Sequence, residues 1–493
     1  MSSAVSRFGR PRRADGLAVR ARLGRHGVFL AVLLAGVALR IAAQLSYRPV
    51  LLFNDSARYL RLSESLDPGS WAPLGYAVLI KAVLHVVPAL SALAVCNHLL
   101  GIAVGVVLYA TLSRRGVPAW LAALASAGVL LDAYQLFLEQ MVMSEALFET
   151  FTVLALVALS RRTSPRRRDA ALAGLCFAGA GLTRYAGVPL ILTGLLFVSL
   201  AGGRFAQRAA LVAVLAGTWA LAVGAYGLYN HARTGSFAIS SRSGPRRLYA
   251  RVAPFADCHG LALPSYERPL CPRPGLVAPR DGSLIEGYTF DLSSPAWHVT
   301  VPPGQTAGEV LSDFSKRVIL HQPWAFARAV GGDFLRPFVH WTRSRGPGEL
   351  PVERWRFTGF YPRYGRPERV VRRWGGGPIA VDRRVALALR RYQLTIGYAP
   401  GLVLAAAALL GLAGALGLSR RARRSELRAV CLLWTSTGLL VFGAAVVYEF
   451  SWRYFVPVIC VLPAAGACGA TALFGGGGEA ANGPADAARA TAG

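Results

Sequence analysis

Lysine is almost missing from this chain: among 493 residues there are two, Lys81 and Lys316, so the formal net charge of +29 is carried by arginine. Arginine in place of lysine follows from GC-rich coding, and basicity by itself therefore says little about a partner. Charge of either sign is scarce, at 16% of residues, while 54% are hydrophobic and the mean hydropathy is +0.41. A soluble domain of this size does not tolerate that balance, and the surplus apolar surface needs lipid. Soluble-enzyme fingerprints are missing too: there is no phosphate-binding glycine loop, no HExxH, no GxSxG and no internal repeat. No His or Cys spacing suggests zinc, and no metal site is assigned. A nucleic-acid binder would gather its basic residues on one soluble face, whereas these fall in short clusters between apolar runs and in one long polar stretch; nucleic acid is excluded as a partner.

What the chain does have is apolar runs long enough to span a bilayer. Read with their arginine flanks, they predict an all-α polytopic membrane protein of about ten transmembrane helices. Residues 1–26 form a basic cytoplasmic tail and residues 27–44 the first span. Ala42-Ala43 would also suit signal-peptide cleavage, but the long charged lead, Arg40 inside the run and the many later spans favour an uncleaved helix. The first external loop covers 47–87, with an amphipathic, Pro-flanked section at 73–87 too broken to span. Further spans follow at 88–113, 117–131 and 143–160, as a hinged pair within 170–201, and at 209–229, completing a transmembrane module over 27–229. Residues 230–397 are then one extracytoplasmic segment between spans seven and eight, a length that implies a subdomain or a function. Three C-terminal spans occupy 398–474, and the Gly- and Ala-rich residues 475–493 read as a disordered cytoplasmic tail.

Arginine distribution sets the orientation. Arg114-Arg115, Arg161-Arg162, Arg166-Arg167-Arg168 and the arginines of 420–424 fall in loops assigned to the cytoplasm, whereas the loop 132–145 has none. The expected location is a bacterial cytoplasmic membrane, with the long segment outside. Five cysteines, Cys96, Cys176, Cys431, Cys460 and Cys468, lie in apolar runs and behave as small hydrophobes. The other two, Cys258 and Cys271, lie in the long segment, where an oxidising exterior predicts a disulfide between them.

Ionisable residues at membrane depth are costly, so each is a candidate site. Asp55 could accept a proton from an acceptor hydroxyl or hold a metal; its plain alternative is helix capping. Lys81 and His85, four apart, share a helix face where a cation could bind a phosphate, or Lys81 could simply snorkel. Glu139 and Glu145 bracket the start of the fourth span, Glu145 being the costlier to place, and Glu149 follows at helical spacing as a candidate hydrogen-bonding partner for a neighbouring helix. Arg184 at the hinge of spans five and six, Glu449 with Arg453 at the hinge of spans nine and ten, and Arg40 complete an outer ring. Arginine there suits a lipid-borne phosphate, because its fork binds two oxygens at once; a salt bridge is the alternative for each.

An early external Asp, Pro73-Leu74-Gly75-Tyr76 after it, Met143-Ser144-Glu145, Gly181-Leu182-Thr183-Arg184 and Arg453-Tyr454-Phe455-Val456-Pro457 together resemble the GT-C superfamily of polyprenyl-phosphate-sugar-dependent glycosyltransferases, which includes the protein O-mannosyltransferases and the lipid A aminoarabinose transferases. The resemblance covers 27 to about 230 and the last two spans. It implies a GT-C-like helical module and a membrane enzyme that moves a hexose or pentose from a polyprenyl-phosphate-linked donor to an extracytoplasmic glycan, lipid or protein of the cell envelope, inverting the anomeric centre. Asp55 would be the general base, and Lys81, Arg184 and Arg453 would contact the donor phosphate. Glu145 and Glu449 remain further carboxylates of the site. The family pattern has two adjacent acidic residues, whereas here Asn54 precedes Asp55, which weakens a metal-bridging role; no cofactor is assigned, and room is left for a divalent cation. The rival reading is a transporter or flippase of polyprenyl-linked or other anionic lipids, which would bring inverted repeats and broken midplane helices, and neither is seen.

Overall fold

The computed structural model describes residues 12–69, 71–200, 203–239, 244–280, 283–343, 352–364 and 366–475, with side chains from His26 onward. Of the expected disordered tail, all but Gly475 lies outside the described residues, as do the side chains of the basic leader before His26.

The apolar runs become helices. In order these are α1 (Arg12–Ser46), the short α2 (Asn54–Ser65) and α3 (Gly75–Val86), then α4 (Leu90–Arg114), α5 (Ala119–Leu131), α6 (Ala133–Glu139), α7 (Glu145–Ser160), α8 (Arg167–Thr183), α9 (Ile191–Leu200) and α10 (Phe205–Thr234). The long segment contributes α11 (Gly244–Val252), α12 (Leu284–Phe290), α13 (Ala307–His321), α14 (Pro323–Val339), α15 (Pro367–Trp374) and α16 (Arg383–Thr395). The chain closes with α17 (Gly401–Leu416), α18 (Arg420–Arg424), α19 (Leu427–Val446) and α20 (Trp452–Phe474).

The protein is an all-α, multi-pass membrane protein, but ten full-length spans are not reached. Among the described residues, five helices are long and apolar enough to cross a membrane, or six if α5 and α6, bent by 48° at Asp132, count as one span. The reason is length: α7 has 16 residues and α17 also 16, which at about 1.5 Å per residue fall short of the ~30 Å hydrocarbon core. Of the two, α7 packs inside the bundle, whereas α17 buries only Gly401, Leu404, Gly411 and Gly414. Small residues let backbones close up: a Cβ on Gly466 would lie 2.7 Å from Ala407 of α17, so α17 and α20 pack in near-backbone contact.

The long segment has two characters. Residues 249–318 gather their own small core, including Tyr249, Leu270, Tyr288, Val310, Phe314 and Val318, with Cys258 and Cys271 joined by a disulfide beside it. Residues 352–395 instead give Trp355, Phe357 and Leu389 to the core of the bundle, and Val370 and Val371 to the smaller core under α2 and α3. A two-residue antiparallel ladder, β1 (Tyr47–Arg48) with β2 (Ala380–Val381), ties this part to the end of α1. Asp132, which caps α6 through the Tyr134 and Gln135 amides, also accepts from Arg343 Nη2 at 2.7 Å and from the Ala399 amide at 2.8 Å. The segment is thus pinned over one end of the bundle, the end where α2 lies.

Candidate functional site

At that end the chain brings together Asp55, Glu145, Arg184 and Arg453, four of the residues singled out above. Each comes from a helix start or hinge. Asp55 lies in the first turn of α2, after the N-cap Phe53; its side chain makes no capping bond, so the capping role open in the sequence belongs to Ser56 instead, which accepts from the Phe53 amide at 2.9 Å. Glu145 opens α7, Arg184 is the extended residue that closes α8, and Arg453 is in the first turn of α20.

These groups form one chain of charge. Arg453 Nη1 donates to Asp55 Oδ2 at 3.0 Å, and Arg453 Nε lies 2.9 Å from Glu145 Oε1. Arg184 pairs with the same Glu145 oxygen and donates to Ser144 Oγ at 3.3 Å, and that hydroxyl meets the Tyr59 phenol at 3.0 Å. Glu145 is 1% exposed, Asp55 18%, so Glu145 is the fixed anchor between two arginines while Asp55 opens on a cavity. Burial pushes the Asp55 carboxyl up, but Arg453, Arg58 and Arg247 outweigh it and hold the group below the usual carboxylate range.

A second carboxyl pair, Glu286 and Glu449, joins the long segment to the bundle. Glu449, in the turn between α19 and α20, accepts from Ser283 Oγ at 2.9 Å. Burial and the neighbouring Glu286 carboxylate push Glu449 up to about 8, against the opposing Ser283 bond and the Arg247 and Arg354 charges. Glu286 is raised as well, by burial foremost. Neither Glu286 nor Arg247 has a local sequence signal, because both meet the site only through the fold.

Asp55 lines one cavity, and a second shares part of that cavity's wall. One, of about 580 Å³, is lined by Asp55, Glu286, nine arginines and six aromatic rings: Phe53, Trp71, Phe290, Trp355, Trp374 and Tyr454. The other, of about 350 Å³, lies among helix ends, with Ala186, Val188, Ala444, Ala445 and Tyr448 beside Arg184, Arg247 and Arg453. Trp71, Arg247, Arg453 and Tyr454 line both, so the two meet next to Asp55. One cavity is basic; the other is largely apolar, with Arg184, Arg247 and Arg453 in its lining.

Five other candidates lie elsewhere. Lys81 and His85 do share one face of α3, but that face is exposed, because Tyr76, Ala77 and Ile80 are the buried one, and neither residue lines the two cavities. Arg40 is buried with Glu139 at 2.8 Å, and Glu139 also meets His98 at 2.9 Å; this is a structural ion-pair cluster under the site. Glu149 accepts from Gln135 at 2.7 Å in the same cluster. Among the described residues no group of three His, Cys, Asp or Glu side chains is placed to hold a metal. Residues that the sequence reading passed over include those of α15, where Arg369 and Arg373 line the cavity together with the buried Val370.

No family model and no curated protein matches the chain. Solved structures similar to it include the S. cerevisiae protein O-mannosyltransferase Pmt1-Pmt2 complex bound to the sugar donor, 14% identical, covering 44% of this chain and 34% of that one, with a TM-score of 0.35. A second is the Archaeoglobus fulgidus oligosaccharyltransferase tethered with an acceptor peptide, 16% identical over 89% of this chain and 49% of that one, TM-score 0.39. A third is the archaeal oligosaccharyltransferase AglB from Archaeoglobus fulgidus in complex with an inhibitory peptide and a dolichol-phosphate, 16% identical over 90% and 50%, TM-score 0.36. The chain spans about half the length of the oligosaccharyltransferases it matches and a third of the mannosyltransferase. The first is a protein O-mannosyltransferase, one of the groups the sequence resembles. At these TM-scores the likeness carries no argument of its own about this chain.

Proposed function

We propose that this protein is a membrane glycosyltransferase that moves a sugar from a polyprenyl-phosphate-linked donor to an acceptor on the outer side of a cytoplasmic membrane, inverting the anomeric centre, with Asp55 as general base. The observation that carries the reading is the placement of Asp55 in a basic cavity that shares Trp71, Arg247, Arg453 and Tyr454 with a largely apolar one. A lipid-linked donor needs those two environments side by side: an apolar wall for the isoprenoid and guanidinium forks for its phosphate.

In this mechanism the acceptor hydroxyl attacks the anomeric carbon, the bond from that carbon to the phosphate oxygen breaks, and the hydroxyl proton goes to an Asp55 carboxylate oxygen. The leaving lipid phosphate keeps the electron pair, so no general acid is needed. Arg453 and Arg184 stabilise the charge growing on that phosphate, a contribution of about 3 kcal/mol for a well-placed donor in such sites. Arg453 is bonded to Asp55, which makes Asp55 a weak base. Donor phosphate competes for that guanidinium, and as the bond to Arg453 loosens Asp55 gains basicity where the acceptor arrives. Lys81, exposed on α3, has no part in this scheme.

The test is transfer of labelled sugar from a synthetic polyprenyl-phosphate donor by purified protein in proteoliposomes. Transfer at a near wild-type rate by Asp55→Asn refutes the base assignment, and movement of lipid-linked substrate across the bilayer with no glycosidic product refutes the enzyme reading in favour of transport.

A further inference from the structure

The 48° bend between α5 and α6 frees two carbonyls inside the bundle. The Ala133 amide turns to Gly397 O at 2.7 Å and the Tyr134 amide to Asp132 Oδ1 at 2.9 Å, so Val129 O and Leu130 O lose the amides that a continuous helix would give them. Arg40 of α1 takes up both: Nη2 donates to Val129 O at 3.1 Å and Nη1 to Leu130 O at 2.8 Å. Its Nη2 also donates to Glu139 Oε1 at 2.8 Å.

From Glu139 the bonding continues along residues 139–145, which join α6 to α7. His98 of α4 spans Glu139 Oε2 at 2.9 Å and Gln140 Oε1 at 2.8 Å, and Gln140 Nε2 donates to Tyr47 O at 3.1 Å. The Leu51 amide donates to Gln140 O at 2.9 Å and the Val142 amide to Leu51 O at 3.2 Å, which sets Leu51 beside Met141 in a single parallel bridge. Asn97 Nδ2 donates to Met141 O at 3.0 Å. Arg40, Asn97, His98, Glu139 and Gln140 are all buried. Such a network favours one arrangement, because each bond given up leaves a buried polar group unpaired.

Both sides of that bridge lead into the site. Leu51 is four residues ahead of Asp55, and the 139–145 strip ends at Ser144 and Glu145, which bond Arg184 and, through Glu145, Arg453. Since Arg453 reaches Asp55 at 3.0 Å and Glu145 at 2.9 Å, the register of Leu51 against Met141 decides whether one guanidinium can hold both. The 47–51 segment is held from the long segment as well, by the Tyr47 hydroxyl on Thr358 O at 2.7 Å and the Tyr361 hydroxyl on Val50 O at 2.6 Å. Loss of the Gln140 bonds therefore loosens the register without releasing the chain.

We infer that His98 and Gln140 are positioning residues for the transfer reaction: seated on the Arg40–Glu139 pair, they fix the 47–51 segment against the 139–145 strip and so hold the Asp55 carboxylate in place relative to Glu145 and Arg453. This deepens the glycosyl-transfer reading and rests on it. Neither side chain lines either cavity, so both act through Asp55.

The experiment is steady-state transfer from a synthetic polyprenyl-phosphate donor by the purified full chain in proteoliposomes. Gln140→Met keeps the length of the side chain and removes its bonds to His98 and Tyr47. Its kcat should fall about 10- to 100-fold, as for a reacting group displaced by up to about 1 Å, with the donor KM within about twofold of wild type. Hydrogen exchange should quicken in peptides carrying the Leu51 and Val142 amides. His98→Phe breaks the same chain at its other link and carries the test should Gln140→Met not fold; the same split of kcat from KM is expected. Trp434→Phe is the control: it removes a buried bond to Ser160 at the opposite end of α7, and should lower thermal stability while leaving kcat and exchange at Leu51 unchanged. A kcat near wild type in Gln140→Met, or a kcat loss that Trp434→Phe reproduces, overturns the inference. Wild-type protein without Asp55-dependent transfer removes the glycosyl-transfer reading and this inference with it, whereas Asp55-dependent transfer that Gln140→Met leaves intact removes this inference alone.

Discussion

Arg453 Nη1 and Asp55 Oδ2 meet at 3.0 Å across 398 residues of sequence, and the same guanidinium reaches Glu145 with its Nε at 2.9 Å. One arginine therefore holds the α2 carboxylate against the start of α7. Its loss leaves Glu145, 1% exposed, with Arg184 as its remaining cation, and leaves Asp55 with a distant Arg58. Arg453→Met is expected to destabilise the purified protein by about 3 kcal/mol, the usual cost of removing one partner of a buried pair, read as a lowered thermal midpoint. Because Asp55 is held below its unfolded value, its share of stability is present above about pH 4 and is lost as pH falls through the lowered value. In Arg453→Met that acid limb should shift upward in pH.

Glu449 works with the opposite sign. Its folded value of about 8 lies above an unfolded value of about 4.3, so the native state binds more protons between the two and stability falls as pH rises across that window. The groups facing it are Ser283, Glu286, Arg247 and Arg354. Glu449→Gln keeps the shape and the Ser283 contact while removing the charge. Its thermal midpoint should be flatter than wild type between about pH 5 and 8, and higher at the alkaline end. An unchanged slope would show that Glu449 is not the titrating group.

Gly101 on α4 has a separate consequence. A Cβ there would collide with the Glu139 carboxylate and crowd Arg40, so Gly101→Ala must break or displace that buried pair. The expected loss is about 3 kcal/mol, large for one methyl group. Donor-binding affinity in the molecules that remain folded should be close to wild type, since the pair lies outside the two cavities beside Asp55.

Cys258 and Cys271 are disulfide-bonded, and the remaining cysteines lie in helices, all but Cys96 fully buried. A membrane-impermeant thiol reagent on intact cells should label this pair only after reduction, and reduction should lower the stability of the 249–318 core by about 3 kcal/mol for a loop of this length. Labelling that requires cell lysis would reverse the proposed orientation.

Much of this was legible in the sequence because membrane depth is expensive. A carboxylate or arginine at the end of an apolar run stands out from its neighbours, which is how Asp55, Glu145, Arg184 and Arg453 could be named, and all four share one cluster. Lys81 stood out by the same rule yet lies on the outward face of α3; the rule locates a charge in depth but not around the helix axis. Arg247, Glu286 and Arg354 were not legible, since nothing local marks a residue of the long segment that the fold swings over a helix end 160 or more residues away, as in Ser283 meeting Glu449. Of the ten expected spans, five or six reach full length among the described residues, because helices such as α7, 16 residues long and packed among neighbours, are shorter than the bilayer core.

The central claim is that the Asp55 carboxylate takes the acceptor's proton. It is tested most directly by single-turnover transfer from a polyprenyl-phosphate donor with purified Asp55→Asn, an isosteric change that removes the base and keeps the side-chain volume. The expected result is a rate lowered by about 10²–10⁴-fold with donor affinity within a few-fold of wild type. A rate within a few-fold of wild type, with donor bound, would contradict the account.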